Sequence, residues 1–184
     1  MAELAVNAQD GIVDDCRQGD ELAWRELHRR FYPVAAAFLR KLGVGETDLD
    51  DATQEVFLEL FRYLPGFRGD SEFKTWLYRL CITQARRARR RASVTSVLLR
   101  ALSLAPPERL VSAPSFSENH ALRRVHAALS QLGPLERETF TLFEMEGVSG
   151  KDIAEIMNCP EATVWRRLCY ARRAFRRALG ADEG

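Results

Sequence analysis

Little in this sequence can hold a metal, a membrane anchor or a disulfide framework. Its four cysteines, Cys16, Cys81, Cys159 and Cys169, are scattered over 184 residues with no C-x-x-C pair. His28, His120 and His126 do not complete a zinc spacing either. The thiols are expected to be reduced and to serve as small hydrophobes, with no metal site and no cofactor. No apolar run reaches the roughly eighteen residues that a membrane span needs. The start, "MAELAVNAQD", has no basic stretch ahead of an apolar one. A cytoplasmic chain without membrane insertion is expected. GxxxxGK, GxSxG and HExxH are all missing, so no catalytic residues are assigned and the chain is expected not to be an enzyme. Alternating strand patterns are missing as well.

What is present is a globular apolar content of 46% and a marked sorting of charge beneath a formal net charge of +1. Glu46, Asp48, Asp50, Asp51, Glu55 and Glu59 form an acidic block with no base among them. Arg79 to Arg100 holds seven arginines and no acid, and Trp165 to Arg177 holds six arginines and no acid. A uniform polyanion binder has no need of the acidic block, so two different partners are implied.

Apolar residues recur at three and four positions throughout, which predicts an all-α fold. Asp20 caps a helix carrying Leu22, Leu27 and Phe31, which Pro33 should interrupt or kink before Val34, Phe38 and Leu42 continue its face. After a turn at Gly43–Glu46, a helix opening near Asp48 places acids in its first turn, where the macrodipole favours them. Leu49, Val56, Phe57, Leu60, Phe61 and Leu64 form its apolar face. Pro65-Gly66 ends it, and Ser71 caps the next helix. From 93 to 117 the period fails in favour of Ser, Pro and Ala, which reads as a flexible linker between two small domains, 14–92 and 118–180. In the second, Pro134 opens a helix after Gly133. Ser149-Gly-Lys-Asp152 is a capping box, and Asn158 can adopt the left-handed conformation. A short helix, a tight turn and a long helix from Pro160 then make a helix-turn-helix pattern.

Three constellations carry chemistry. On the acidic helix, Asp51, Gln54, Glu55, Leu58 and Arg62 share the outward side. An apolar residue in a row of acids fits docking on a basic, partly apolar protein surface. In "SEFKTWLYRLCITQARRARRR" (Ser71–Arg91), Phe73, Leu77, Leu80, Gln84 and Ala88 mark the core side. Trp76, Arg79, Thr83, Arg86 and Arg90 follow a neighbouring stripe that turns from aromatic to basic. Aromatic rings stack on unpaired bases and arginines hold duplex phosphates, so the stripe suits a junction between single and double strands. The same pattern also suits a core helix with a solvated basic tail. The loop before it, "FRGDS", places Gly69 between Arg68 and Asp70, where backbone can approach a base. On the last helix, Glu161, Thr163, Trp165, Arg166, Arg167 and Tyr170 stand where a recognition helix reaches base edges. Arg172, Arg173, Arg176 and Arg177 lie beyond, toward phosphates.

"DATQEVF" (Asp51–Phe57), "FRGDSEFKTWLYRL" (Phe67–Leu80) and "GVSGKDIAEIMNCPEATV" (Gly147–Val164) occur in this order. Together they resemble the extracytoplasmic-function (ECF) group of sigma factors in the sigma-70 superfamily. The resemblance implies a region 2-like domain over 14–92 and a region 4-like domain over 118–180. It implies binding to core RNA polymerase through the beta and beta-prime subunits, recognition of the −10 and −35 promoter elements, and melting of the duplex. Asp51, Gln54, Glu55 and Leu58 would dock on polymerase. Phe67, Arg68, Gly69, Asp70 and Ser71 would form the pocket for a base flipped from the −10 element. Phe73, Trp76, Arg79, Thr83, Arg86, Arg87 and Arg90 would continue that surface. An anti-sigma factor is a common partner in the group. The chain departs from the pattern at Thr83, where Asn is usual, and at Arg87, where an acid is frequent. Trp165 and Arg166 replace a basic residue and Ser, and Tyr170 replaces a basic residue. The usual −35 consensus is therefore not carried over. A stand-alone helix-turn-helix regulator and a helical adaptor that ignores DNA are the competing readings; the first leaves the acidic helix and the aromatic loop without a use.

Overall fold

The computed structural model describes residues 11–67, 69, 72–101 and 120–180, and no strand occurs among them. Arg68, Asp70, Ser71 with its expected cap, and most of the expected linker lie outside the described residues.

The first half is built on three helices. Residues 11–17 form α1, whose Val13 and Cys16 are buried. Trp24 ties it down by donating Nε1–H to the Cys16 carbonyl at 3.1 Å. Helix α2 spans Glu21–Lys41, and Asp20 caps it by accepting from the Leu22 and Ala23 amides. Pro33 does not break it. Proline removes one backbone donor at a cost of about 3 kcal/mol, but Leu27, Phe31, Ala35 and Phe38 are buried on both sides of it and hold one continuous face. Fully burying a Leu or Phe contributes on the order of 1.5–3 kcal/mol each, which outweighs that local cost. Helix α3 spans Glu46–Tyr63, starting two residues before Asp48, and a 3₁₀ turn at Leu64–Gly66 ends it.

Helix α4 runs from Phe73 to Ala101, well beyond Ala92, where the fading period predicts the start of the linker. Arg91, Ala92, Leu98 and Leu99 favour helix, and no Gly or Pro intervenes before 106. Loss of amphipathic period marks the end of burial there, not the end of the helix. Helices α2, α3 and α4 pack around Leu27, Phe38, Val56, Leu60, Leu77 and Ile82.

In the second half, α5 (His120–Ser130), α6 (Pro134–Phe140) and α8 (Glu161–Gly180) surround a cluster of Leu129, Leu132, Phe140 and Ala171, and α7 (Gly150–Met157) packs against α8. A π-helical turn, Thr141–Met145, extends α6. Ser149 caps α7 by accepting from the Asp152 amide at 3.1 Å, and Asn158 closes it at φ 49° and ψ 56°, both as the sequence requires. The halves abut. Leu142, Ile153, Ile156 and Met157 of the second belong to the same contiguous buried cluster as the core of the first.

Candidate functional site

The acidic helix presents the face its spacing implies. Asp51, Gln54, Glu55 and Leu58 are all exposed, with Leu58 at 60%. A larger feature lies beyond what the spacing shows. Phe61, expected on the core face, is 63% exposed. Its ring lies 4.9 Å from Trp24. Together with Phe57, His28 and Leu58 these rings line a groove of about 620 Å³ between α2 and α3. The helical period places Phe57 and Phe61 on one side of α3. What it does not contain is that α2 covers only part of that side. Leu22, expected with Leu27 and Phe31 on the buried face of α2, is likewise 72% exposed and lies outside the groove lining, so spacing alone gives no signal of the groove.

Not all the acids are free. Arg40 donates to Glu46 at 2.7 Å and holds its carboxyl below the usual range. The Tyr32 hydroxyl donates to Asp50, which pushes the phenol up to about 12. Glu59 pairs with Arg87. Among the described residues no three His, Cys, Asp or Glu converge closely enough to hold a metal.

Helix α4 separates into the faces its spacing implies, with two corrections. Leu77, Leu80 and Gln84 are buried. Arg79 and Arg90 are exposed and Thr83 is half-buried, its hydroxyl donating to the Arg79 carbonyl. Phe73 is only 3% exposed, edge-on to Phe31 at 4.9 Å, so it belongs to the core and cannot present a face to a base. It supports Phe67 and Trp76, both half-buried, whose rings lie 5.1 Å apart at 35°. Gly69, beside them, has φ 76° and open space around it. Arg86 is not on the free surface. It donates to Glu138 at 2.7 Å from across the molecule. Three residues per step carry Arg86 toward the α6 side, and no local pattern reveals a carboxylate 52 positions away.

On α8, Val164 and Leu168 are buried and set its roll against α7. Glu161, Arg166, Tyr170 and Arg173 are exposed, Thr163 is half-buried, and Arg176 and Arg177 continue the outward row. Trp165 is 45% exposed but leans back, edge-on to Phe143 at 5.4 Å, with Nε1–H donated to Glu161 at 3.1 Å. A Cβ on Gly150 would fall 2.7 Å from the same indole, so the glycine lets the ring lie on the start of α7. Arg172 is held by Glu144 at 2.6 Å and stacks over Phe143. Arg167 is half-buried with Nη1 3.6 Å from the Cys159 sulfur. The residues left to reach outward from the helix start are thus Arg166 and Tyr170, with Arg173 following one turn on.

The described fold therefore carries an apolar groove close to the exposed acids of α3, an aromatic and basic helix beside Gly69, and a helix-turn-helix. Comparison with known proteins matches the same segments. The family model described as Sigma-70 region 2 matches residues 27–95, and that described as Sigma-70, region 4, matches residues 122–175. The RNA polymerase sigma-H factor of Pseudomonas aeruginosa is 32% identical over 91% of this chain and 92% of its own. The ECF RNA polymerase sigma-E factor of Escherichia coli K12 is 33% identical over 89% of this chain and 90% of its own. Among solved structures, CnrH in complex with the cytosolic domain of CnrY superposes with a TM-score of 0.69 at 26% identity, covering 95% of this chain and 99% of that one. The sigma factor RpoE in complex with the anti-sigma factor NepR from Bartonella quintana gives 0.70 at 21% identity, covering 86% and 97%, a likeness of fold.

Proposed function

Given that the chain belongs to the sigma-70 family, in its extracytoplasmic-function group, and is an RNA polymerase sigma factor, we propose how its surfaces divide that work. The α2–α3 groove with Asp51, Gln54, Glu55 and Leu58 docks on core polymerase, on the beta-prime subunit. The α4 face with Phe67, Gly69 and Trp76 receives a base flipped from the −10 element, and Arg79, Thr83, Arg87 and Arg90 follow the adjacent duplex. The outward row of α8 reads the −35 element through Arg166 and Tyr170, while Arg173, Arg176 and Arg177 hold phosphates. Trp165 positions that helix.

The observation that carries this division is the separation of two exposed surfaces of unlike chemistry. The groove combines Leu58 and Phe61 with neighbouring carboxylates, which repel DNA but suit a basic protein face. The α4 and α8 surfaces carry arginines, whose phosphate contacts are salt-sensitive and sequence-blind, beside groups that touch bases. Unpairing one base costs a few kcal/mol, and stacking at about 1–3 kcal/mol per ring offsets much of it. An anti-sigma protein, of the kind that RpoE binds, would compete for the groove.

Run-off transcription with purified core enzyme on a promoter fragment tests the assignment. Phe61→Glu and Leu58→Glu change exposed side chains and should leave helicity intact. Both should abolish core binding in pull-down and cut run-off at least about tenfold, a loss of about 1.4 kcal/mol or more. Wild-type levels of both would refute docking through this groove. A stand-alone regulator would instead shift promoter duplex without core enzyme and be indifferent to these changes.

A further inference from the structure

Helix α8 is gripped on the flank beside its outward row. Burial of Val164, Leu168 and Ala171 holds α8 to its neighbours, but hydrophobic attraction has no direction and fixes rotation about the helix axis only weakly. At about 3.6 residues per turn, Trp165 and Arg172 lie about two turns apart on one flank of that buried strip. Arg166, Tyr170, Arg173 and Arg177 follow another side by steps of three and four. The flank of Trp165 and Arg172 meets Phe143 and Glu144. The indole lies edge-on to the Phe143 ring at 5.4 Å, and the Arg172 guanidinium stands over the same ring at 5.5 Å. Arg172 also donates from Nε to Glu144 at 2.6 Å. Phe143 is thus held between an indole and a cation of one helix.

Further features are built around the same indole. Its Nε1–H is donated to Glu161, one turn back on α8, at 3.1 Å. Gly150, at the first position of α7, leaves the space that the ring fills, since a Cβ there would fall 2.7 Å from Cζ2. Gly150 is helical, so its backbone has no need of glycine; the indole does. Phe143 and Glu144 stand on the π-helical turn, in which the Glu146 amide reaches the Thr141 carbonyl at 3.1 Å. Such turns are rare and are found frequently at functional sites. On the opposite flank Arg167 donates to the Cys159 sulfur at 3.6 Å, so α8 is held on both sides of its buried strip.

A roll of about 30° about the axis of a helix roughly 12 Å across carries its side-chain tips by about 3 Å. That is the length of a hydrogen bond, and a bidentate contact to a base edge does not survive it. We propose that Phe143 and Glu144 form a bracket that fixes the roll of α8 through Trp165 and Arg172, so that this bracket and Gly150 set the sharpness of −35 discrimination without touching a base. Arg172 is a strut in this arrangement and not a phosphate contact. The proposal rests on the reading of the −35 element by Arg166 and Tyr170 given under Proposed function, and names what holds them in register. Loss of the bracket leaves the arginines of the outward row near the duplex. Affinity for DNA in general then persists while preference among sequences fades.

For the test, holoenzyme assembled from core enzyme and the full chain selects from a duplex library randomised across both promoter segments. The enriched −35 sequence is then altered one base pair at a time. For the wild type each alteration should weaken binding about tenfold. Gly150→Ala, Trp165→Ala and Phe143→Ala should shrink those steps to about threefold or less, at every position that Arg166→Ala or Tyr170→Ala also affects. Arg172→Ala should relax discrimination likewise yet leave the slope of log affinity against log salt unchanged, whereas Arg173→Ala should lower that slope by about 1. Undiminished discrimination in Gly150→Ala, whose added methyl meets the indole first, would overturn the proposal. So would a loss in Trp165→Ala confined to one base pair, the mark of direct contact by the indole, or a slope lowered by about 1 in Arg172→Ala. Should Trp165→Ala or Phe143→Ala lose helicity by circular dichroism, Gly150→Ala and Arg172→Ala decide the matter. Preference unaltered by both Arg166→Ala and Tyr170→Ala would instead count against the reading of the −35 element by α8, while the salt slope of Arg172→Ala still judges the strut.

Discussion

Cys16 and Cys81 are both sealed inside the first half, and burial is the main reason their thiols resist ionisation. Cys16 is pushed up to about 11, with Asp15 and Asp20 adding repulsion, and Cys81 is raised too, by burial foremost. A raised value makes the reactive thiolate scarce: at pH 8 a thiol of pKa about 11 is ionised on the order of one part in a thousand. Cys169 is exposed and Cys159 half-buried. Iodoacetamide at pH 8 should therefore label Cys169 first and Cys159 next, with Cys16 and Cys81 reacting only after denaturation. Peptide mapping by mass spectrometry checks the order, and rapid labelling of Cys81 in the native chain would contradict a closed core. Single residues also show where sequence patterns stop. Phe73 and Phe61 have similar surroundings in the chain, yet one is enclosed and the other lies open. Spacing assigns a side of a helix; only the neighbouring helix decides how much of that side it covers.

At the scale of elements, the α7–α8 turn depends on one backbone conformation. Asn158 is the only non-glycine residue with positive φ among the described residues. The Cys159 amide then bonds back to the Ala154 carbonyl at 3.0 Å. Asn tolerates this conformation and Ala does not, at a cost of about 1 kcal/mol. Asn158→Ala should lower stability in urea by about that amount, and Asn158→Gly should be neutral within a few tenths. Equal losses for both would show that the amide side chain, not the backbone, sets the turn. This cap and the Ser149 capping box are legible in sequence because each is settled within four residues. The continuity of α2 through Pro33 is not, since the opposing term comes from packing against α3 and α4. Nor is the continuation of α4 past Ala92, where residues 91–94 are exposed and give no buried face to announce it.

For the molecule as a whole, sorted charge matters more than its sum. With a formal net charge of +1, little general repulsion keeps copies apart, while the exposed acids of α3 can meet the arginines of α8 in another copy. Static light scattering should report net attraction near 0.01 M salt, where the Debye length is roughly 30 Å, and relief near 1 M, where it is roughly 3 Å. Attraction unchanged by salt would point to apolar association through the groove instead. The family can be read from the chain, because three motifs stand in order along it. The seating of one half on the other cannot, since Lys41 and Glu146 meet across 105 positions and each reads locally as a solvated charge.

Gly43 sits at that seam. Its φ of 86° suits glycine, and a Cβ there would fall 2.0 Å from the Arg137 guanidinium. Burial already lowers the Arg137 pKa, and its Nε has no partner, so the head group has little room to retreat. One hydrogen atom in place of a methyl thus sets how near the halves can come. Any larger side chain there would strain the turn that ends α2 and act as a wedge against Arg137, loosening their embrace.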